Sequence, residues 1–175
     1  MSISVTGRPT VLGNTVVAGV AWANPENAGA SDGAWASAEN TEPLDPDNTK
    51  GLKGQGYGFA IPADAVNIQL SLGVERHGSA GSAVVDLSIY LLDAAGTPAG
   101  TNRAALGNWP ETDAIATHAG DSDDWGVTLT PTLLNDANFG VVIRATLEAL
   151  DIGYLDDIPL TVTYDVSIVG HGCIY

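Results

Sequence analysis

The chain has 175 residues, 45% of them hydrophobic, and a formal net charge of −15 from 21 acidic against six basic side chains. That length supports one substantial core, and so acidic a surface repels nucleic-acid phosphates and anionic lipid, which argues against both as partners. Charged residues make up only 15%, beside 21 glycines and nine prolines, so turns are many and amphipathic helices few. The scarcity of lysine and abundance of aspartate also fit a halophilic origin. A single cysteine, Cys173, excludes an intrachain disulfide and a thiolate zinc site, and reads as a small buried residue of the last strand. No basic leader followed by an apolar run opens the chain, and no apolar stretch reaches membrane-spanning length; synthesis in a cytoplasm without signal-peptide export is expected.

Residues 1–14 mix Ser, Thr, Gly and a Pro with β-branched residues and read as either an edge strand or an extended arm. The organisation expected is this N-terminal element over 1–15 and a single β-sandwich domain over 16–175. The apolar run 16–22 (VVAGVAW) predicts a buried strand, and 23–48, rich in Asn, Pro, Gly, Asp and Ser, predicts a long contact loop around Trp35. Within it Asp45, Asp47 and Asn48 lack the Gly and terminal Glu of an EF-hand loop and read as a solvated turn. Gly54, Gly56 and Gly58 precede Phe59-Ala60-Ile61-Pro62, a strand ended by proline. No helix follows to face a phosphate, so a nucleotide loop is rejected.

Residues 66–75 alternate cleanly, with Val66, Ile68, Leu70, Leu72 and Val74 on one face; 76–83 reads as a turn, and 84–91 as the second strand of a hairpin. The turn-rich stretch 93–110 predicts a short strand near Arg103 and a core-capping Trp109, followed by a short strand over 112–118. Residues 121–147 then carry an acidic turn, Trp125-Gly126, and Thr130-Pro131-Thr132, which suits one capped helical turn. After it, Phe139, Val141, Ile143, Ala145 and Leu147 line one strand face. Residues 148–159 read as an acidic connection anchored by Tyr154 and Leu155, and 160–169 as the last strand. Many strands without a convincing helix predict an all-β, antiparallel two-sheet sandwich, jelly-roll-like in topology.

No catalytic constellation emerges. His77, His118 and His171 are far apart beside glycine-rich turns and read as exposed loop residues, no nucleophile elbow occurs, and no pair of carboxylates is singled out for glycosidic cleavage. Asp121, Asp123 and Asp124 form the densest carboxylate cluster and are the candidate ligands of Ca2+ or another divalent cation, against the plain reading of a solvated turn; no other cofactor is expected. Four tryptophans, Trp22, Trp35, Trp109 and Trp125, divide between core and sugar stacking.

The run 59–68 (FAIPADAVNI), the acidic-Trp-Gly turn 124–130 (DWGVTLT) and Asn138-Phe139-Gly140-Val141, with Asn24-Pro25-Glu26-Asn27-Ala28 and Ser31-Asp32-Gly33 upstream, resemble a pattern in β-sandwich structural proteins of tailed phages and proviruses. The resemblance spans residues 24–164 and implies a non-enzymatic virion component. The expectation is a capsid decoration or head-appendage protein on the particle surface, a homo-oligomer with a trimer favoured, whose partners are the major capsid protein or other virion proteins. Trp35, Pro43 and Asp45 are the expected partner contacts, and deletion of 1–14 is expected to abolish particle binding while the sandwich stays folded. The alternative is a tail or fibre module that recognises a host receptor or glycan.

Overall fold

The structure, a computed structural model, describes residues 1–120 and 123–166. It is an all-β, two-sheet antiparallel sandwich, as its alternating sequence predicts. The first sheet is built from β1 (Ser2–Gly7), β3 (Ala36–Glu39), β6 (Ala65–Gly78), β9 (Ala114–His118), β11 (Ile152–Asp157) and β12 (Leu160–Val166). The second holds β2 (Val11–Asn14), β4 (Asp47–Asn48), β5 (Leu52–Gln55), β7 (Val85–Leu92), β8 (Pro98–Ala99) and β10 (Gly140–Leu147). A 3-10 turn spans Pro25–Ala28, and a helical turn, α1 (Pro131–Leu134), starts where Thr130 accepts a hydrogen bond from the Leu133 amide, the cap that Thr-Pro-Thr predicts.

β6 is the spine of the first sheet. β12 and then β11 run along one of its edges, β12 from Val166 opposite Ala65 to Leu160 opposite Leu72 and β11 from Asp157 opposite Glu75 to Gly153 opposite Gly78, while β9 pairs with its other edge over Leu72–Arg76. Leu70, Leu72 and Val74 point inward against Ile89, Leu91, Val141, Ile143 and Leu147 of the second sheet. Trp125 closes the core, wholly buried, its indole N–H donating to the Leu70 carbonyl at 3.1 Å.

Several readings need correction: 59–62 and the stretch near Arg103 form no strand, the loop over 23–48 holds β3 and β4, and four more concern partners and bounds. First, β6 and β7 are not a hairpin: they lie in different sheets, and β7 pairs with β10. Alternation fixes which face a strand buries, and both bury theirs in the same core, but it does not name the partner. Second, β6 runs on to Gly78, so Arg76 and His77 are strand residues; at its other end Asn67, at φ 50, breaks the alternation and leaves Val66 exposed. Third, 16–22 is no strand. Val16 is fully exposed and only Trp22 is buried, held by Asn14, whose side chain bonds both its amide and its carbonyl. Fourth, 148–159 contains β11, with Leu155 buried in the core.

The N-terminal residues are an edge strand of each sheet. β1 pairs with β12 over six positions and β2 with β5 over four. Between them Arg8 grips the buried Asp157, Nε donating to both carboxylate oxygens at 3.1 and 2.9 Å and Nη2 reaching one at 2.7 Å. That hydrogen bond and the charge of Asp157 raise Arg8 above its ordinary pKa. An arm free to be removed is therefore the wrong picture.

Candidate functional site

Across β3, β11 and β6 the strand register lines up Ser37, Tyr154 and His77. The adjoining row, Ala36, Leu155 and Arg76, is buried, so alternation turns Tyr154, His77 and, two residues along, Glu75 to the outer face of the sheet. Asp113 reaches the same face from the residue before β9, whose Ala114 pairs with Arg76.

On this face the His77 ring stacks on Tyr154, centroids 4.5 Å apart and planes 12° from parallel. Trp35 stands edge-on to both, at 5.3 Å from His77 and 6.1 Å from Tyr154. Its Nε1 donates to Asp113 Oδ2 at 3.2 Å, and the other oxygen of that carboxylate meets His77 Nδ1 at 2.7 Å. Trp35 keeps 37% of its surface exposed, whereas Trp22, Trp109 and Trp125 are at 2%, 2% and 0%.

A bulge in β11 sets this geometry. The register shifts between Leu155 and Asp157, which leaves Asp156 as the extra residue. Asp156 is 2% exposed, and its Oδ2 accepts the Gly33 amide at 3.0 Å. Gly33 sits at φ 79, where a side chain would be strained, and Asp32 Oδ1 takes the Ala34 amide at 2.9 Å. The loop before β3 is thereby drawn onto the sheet, and the Trp35 carbonyl is held by Asn27 Nδ2 at 3.3 Å. Glu75, Asp113 and Asp156 each bring one carboxylate oxygen within 4.8 Å of the others. An aromatic surface rimmed by acceptors suits the apolar face and hydroxyls of a sugar ring, and clustered carboxylate oxygens suit a hard cation.

Of the residues singled out from sequence, Trp35 belongs to this constellation. Pro43 and Asp45 lie past the opposite end of β3, both exposed; the Asp45 carbonyl accepts from Asn40 Nδ2 at 2.9 Å. The structure does not bring these two to Trp35. Asp123 Oδ1 takes Arg103 Nη2 and the Trp125 amide, each at 2.6 Å, and Asp124 Oδ1 takes the Gly126 amide at 2.8 Å. Those carboxylates shape the Asp-Trp-Gly turn; Asp121, His171 and Cys173 lie outside the described residues. His77 and His118 are not the exposed loop residues expected, since each belongs to a strand.

Beneath the face, on its inner side, Asp86 gathers a buried polar cluster. Arg76 Nη1 and Trp109 Nε1 both donate to its Oδ1, the latter at 2.8 Å, and the Ala105 amide donates to Oδ2 at 2.8 Å. Trp109 thus caps the core as expected, with the Arg76 guanidinium 4.9 Å above its ring. His118 Nδ1 lies 2.9 Å from the Arg103 carbonyl, which only accepts, so Nδ1 carries the proton. Its Nε2 is buried with no described partner. Burial pushes the His118 pKa below its ordinary value, against the opposing pull of the Arg103 carbonyl and Asp86.

The folded state therefore binds this proton more weakly than the unfolded chain, and the stability tied to neutral His118 is complete above the ordinary histidine pKa and falls as pH drops through it. A thermal-unfolding series from about pH 7.5 to 5 is expected to show Tm declining with acid, and His118→Gln to flatten that slope. A parallel decline in both proteins would contradict this.

No family model and no curated protein matches the chain. Among solved structures, TmCBM61 in complex with β-1,4-galactotriose is similar at 16% identity and a TM-score of 0.42, over 88% of this chain and 90% of that one. The Clostridium thermocellum xylanase 10B CBM22-1-GH10 modules complexed with xylohexaose are similar at 12% identity and a TM-score of 0.38, over 96% of this chain but 27% of that one. A structure of carbohydrate-binding modules from the β-sandwich superfamily gives 11% identity and 0.37, over 90% and 55%. The fold itself stands on the strand pairing described above.

Proposed function

We propose that the chain is a non-enzymatic glycan-binding β-sandwich whose site is the outer face of the first sheet around Trp35, Tyr154 and His77. The observation that carries this is the half-exposed indole of Trp35, fixed by two edge contacts and a hydrogen bond to Asp113. A preordered aromatic surface loses little entropy when a sugar ring stacks on it. The exposed rim of Asp113 and Asp32 supplies acceptors for its hydroxyls. A glycan array that includes β-1,4-linked galacto- and xylo-oligosaccharides is expected to give binding that Trp35→Ala weakens about 30-fold, the factor matching the ~2 kcal/mol of an aromatic hot spot. Array silence, or a hit indifferent to Trp35→Ala, would overturn the reading.

A second reading concerns where such a module works. The ordered motifs that resemble those of phage and provirus sandwiches favour a place on a virion surface, as a homo-oligomer, a trimer favoured, against the major capsid protein or other virion proteins. Copy number per particle in a cryo-EM map of the source virion tests it: a symmetric set of copies on shell or appendage supports it, and particles without the chain refute it.

A further inference from the structure

We propose that Glu75, Asp113 and Asp156 form a divalent-cation site, with calcium the ion that its donors fit best. The three offered oxygens lie within 4.8 Å of one another. Calcium binds oxygen at roughly 2.3–2.6 Å, so two ligands on opposite sides of one ion are about 4.6–5.2 Å apart, and all three fit a single coordination sphere. A separate observation points to a missing ligand. Glu75 Oε2 is buried, and no donor among the described residues reaches it. A buried carboxylate oxygen without a donor is costly, and a cation is the partner that would satisfy it.

The charged groups around the site do not fill that role. Arg8 is committed to Asp157 through Nε and Nη2; it feels the charge of Glu75, but none of its nitrogens donates to Glu75 Oε2. His77 faces Asp113 through Nδ1, and Trp35 donates to the other oxygen of the same carboxylate. Asp156, though deeply buried, receives only backbone amides among the described residues, Gly33 N at 3.0 Å and Asp32 N at 3.5 Å. Hydrogen bonds of this kind orient a ligating carboxylate and leave it lone pairs for an ion. The donor set is oxygen alone, which favours calcium over transition metals, and three carboxylates exceed the one or two through which magnesium is usually held. An ion here would link β6, β11 and the residue before β9, and would fasten the Asp113 anchor of Trp35.

The test is a calcium titration of the full chain after chelator treatment, read by calorimetry and by Tm, with no sugar present. It therefore succeeds or fails independently of glycan binding. One equivalent of calcium is expected to bind, with Tm rising about 5–10 °C at a hundredfold excess over Kd, and magnesium to bind at least tenfold more weakly. Glu75→Gln is expected to cut calcium affinity at least tenfold yet to raise Tm in chelator, because it removes one of three like charges. Asp156→Asn should lose the ion as well; should it fail to fold, Glu75→Gln decides alone. Glu39→Gln, at the exposed end of β3, is expected to bind calcium normally. No heat and no Tm shift at millimolar calcium, or calcium binding unaltered in Glu75→Gln, would overturn the proposal.

Discussion

A chain lacking residues 1–14 is expected to lose at least about 5 kcal/mol of stability, and with it about 10–20 °C in Tm or its cooperative fold altogether. Three losses combine. Six paired positions against β12 and four against β5 disappear, and each net hydrogen bond contributes roughly 0.5–1.5 kcal/mol. Ile3 and Leu12, packed against the core, are removed, and the freshly opened edges of β12 and β5 invite pairing with other chains. Asp157, nearly inaccessible, loses the guanidinium of Arg8 and would be left a buried carboxylate without its partner. Thermal unfolding and light scattering of the truncated chain check this; a truncated protein that melts with the full chain and stays monodisperse would contradict the paired edges.

Arg76→Met is expected to destabilise the chain by about 3–5 kcal/mol, or roughly 6–20 °C in Tm, because it strands the buried Asp86 carboxylate. Both side chains are nearly inaccessible to water, at 6% for Arg76 and 0% for Asp86. Burial lowers the Arg76 pKa in spite of the adjacent carboxylate, a sign of how much desolvation the pair bears. A double variant that combines Arg76→Met with Asp86→Asn is therefore expected to recover more than half of the loss. The amide side chain introduced by the second substitution would bury no charge and would retain a carbonyl oxygen for Trp109 Nε1, while its NH2 would face the Ala105 amide, so the recovery stays incomplete. Chemical-denaturation curves of the two variants and the parent decide it. Equal losses in the single and double variants would mean that packing of Arg76 over Trp109, rather than its charge, is what matters.

Local pattern carried much of the fold. The faces of β10 and β12 follow from strict alternation, and the helical turn from Thr-Pro-Thr chemistry. Long-range pairing is a different matter. Nothing local distinguishes a β6–β7 hairpin from two strands crossing between sheets, and the glycine of Arg76-His77-Gly78 imitates a turn inside a continuous strand. The site suffered for the same reason. Trp35 was legible as a loop aromatic, but its partners come from four separate stretches: Glu75 and His77, Asp113, Tyr154 and Asp156, and the Asp32-Gly33 turn. The bulge that exposes Asp156 to Gly33 depends on the register of β11 against β6, which no single stretch encodes.

The four indole N–H signals offer the most direct test of the aromatic face. Trp22 Nε1 donates to the Lys50 carbonyl, Trp109 to Asp86 and Trp125 to the Leu70 carbonyl, all inside the fold, whereas Trp35 donates to Asp113 at the surface. In a 1H–15N correlation spectrum titrated with the strongest oligosaccharide from the array, the Trp35 signal, assigned by its absence in Trp35→Ala, is predicted to move with saturation while the other three stay in place. A sugar that shifts none of the four, or that shifts a buried indole and leaves Trp35 unmoved, would contradict a glycan site at Trp35.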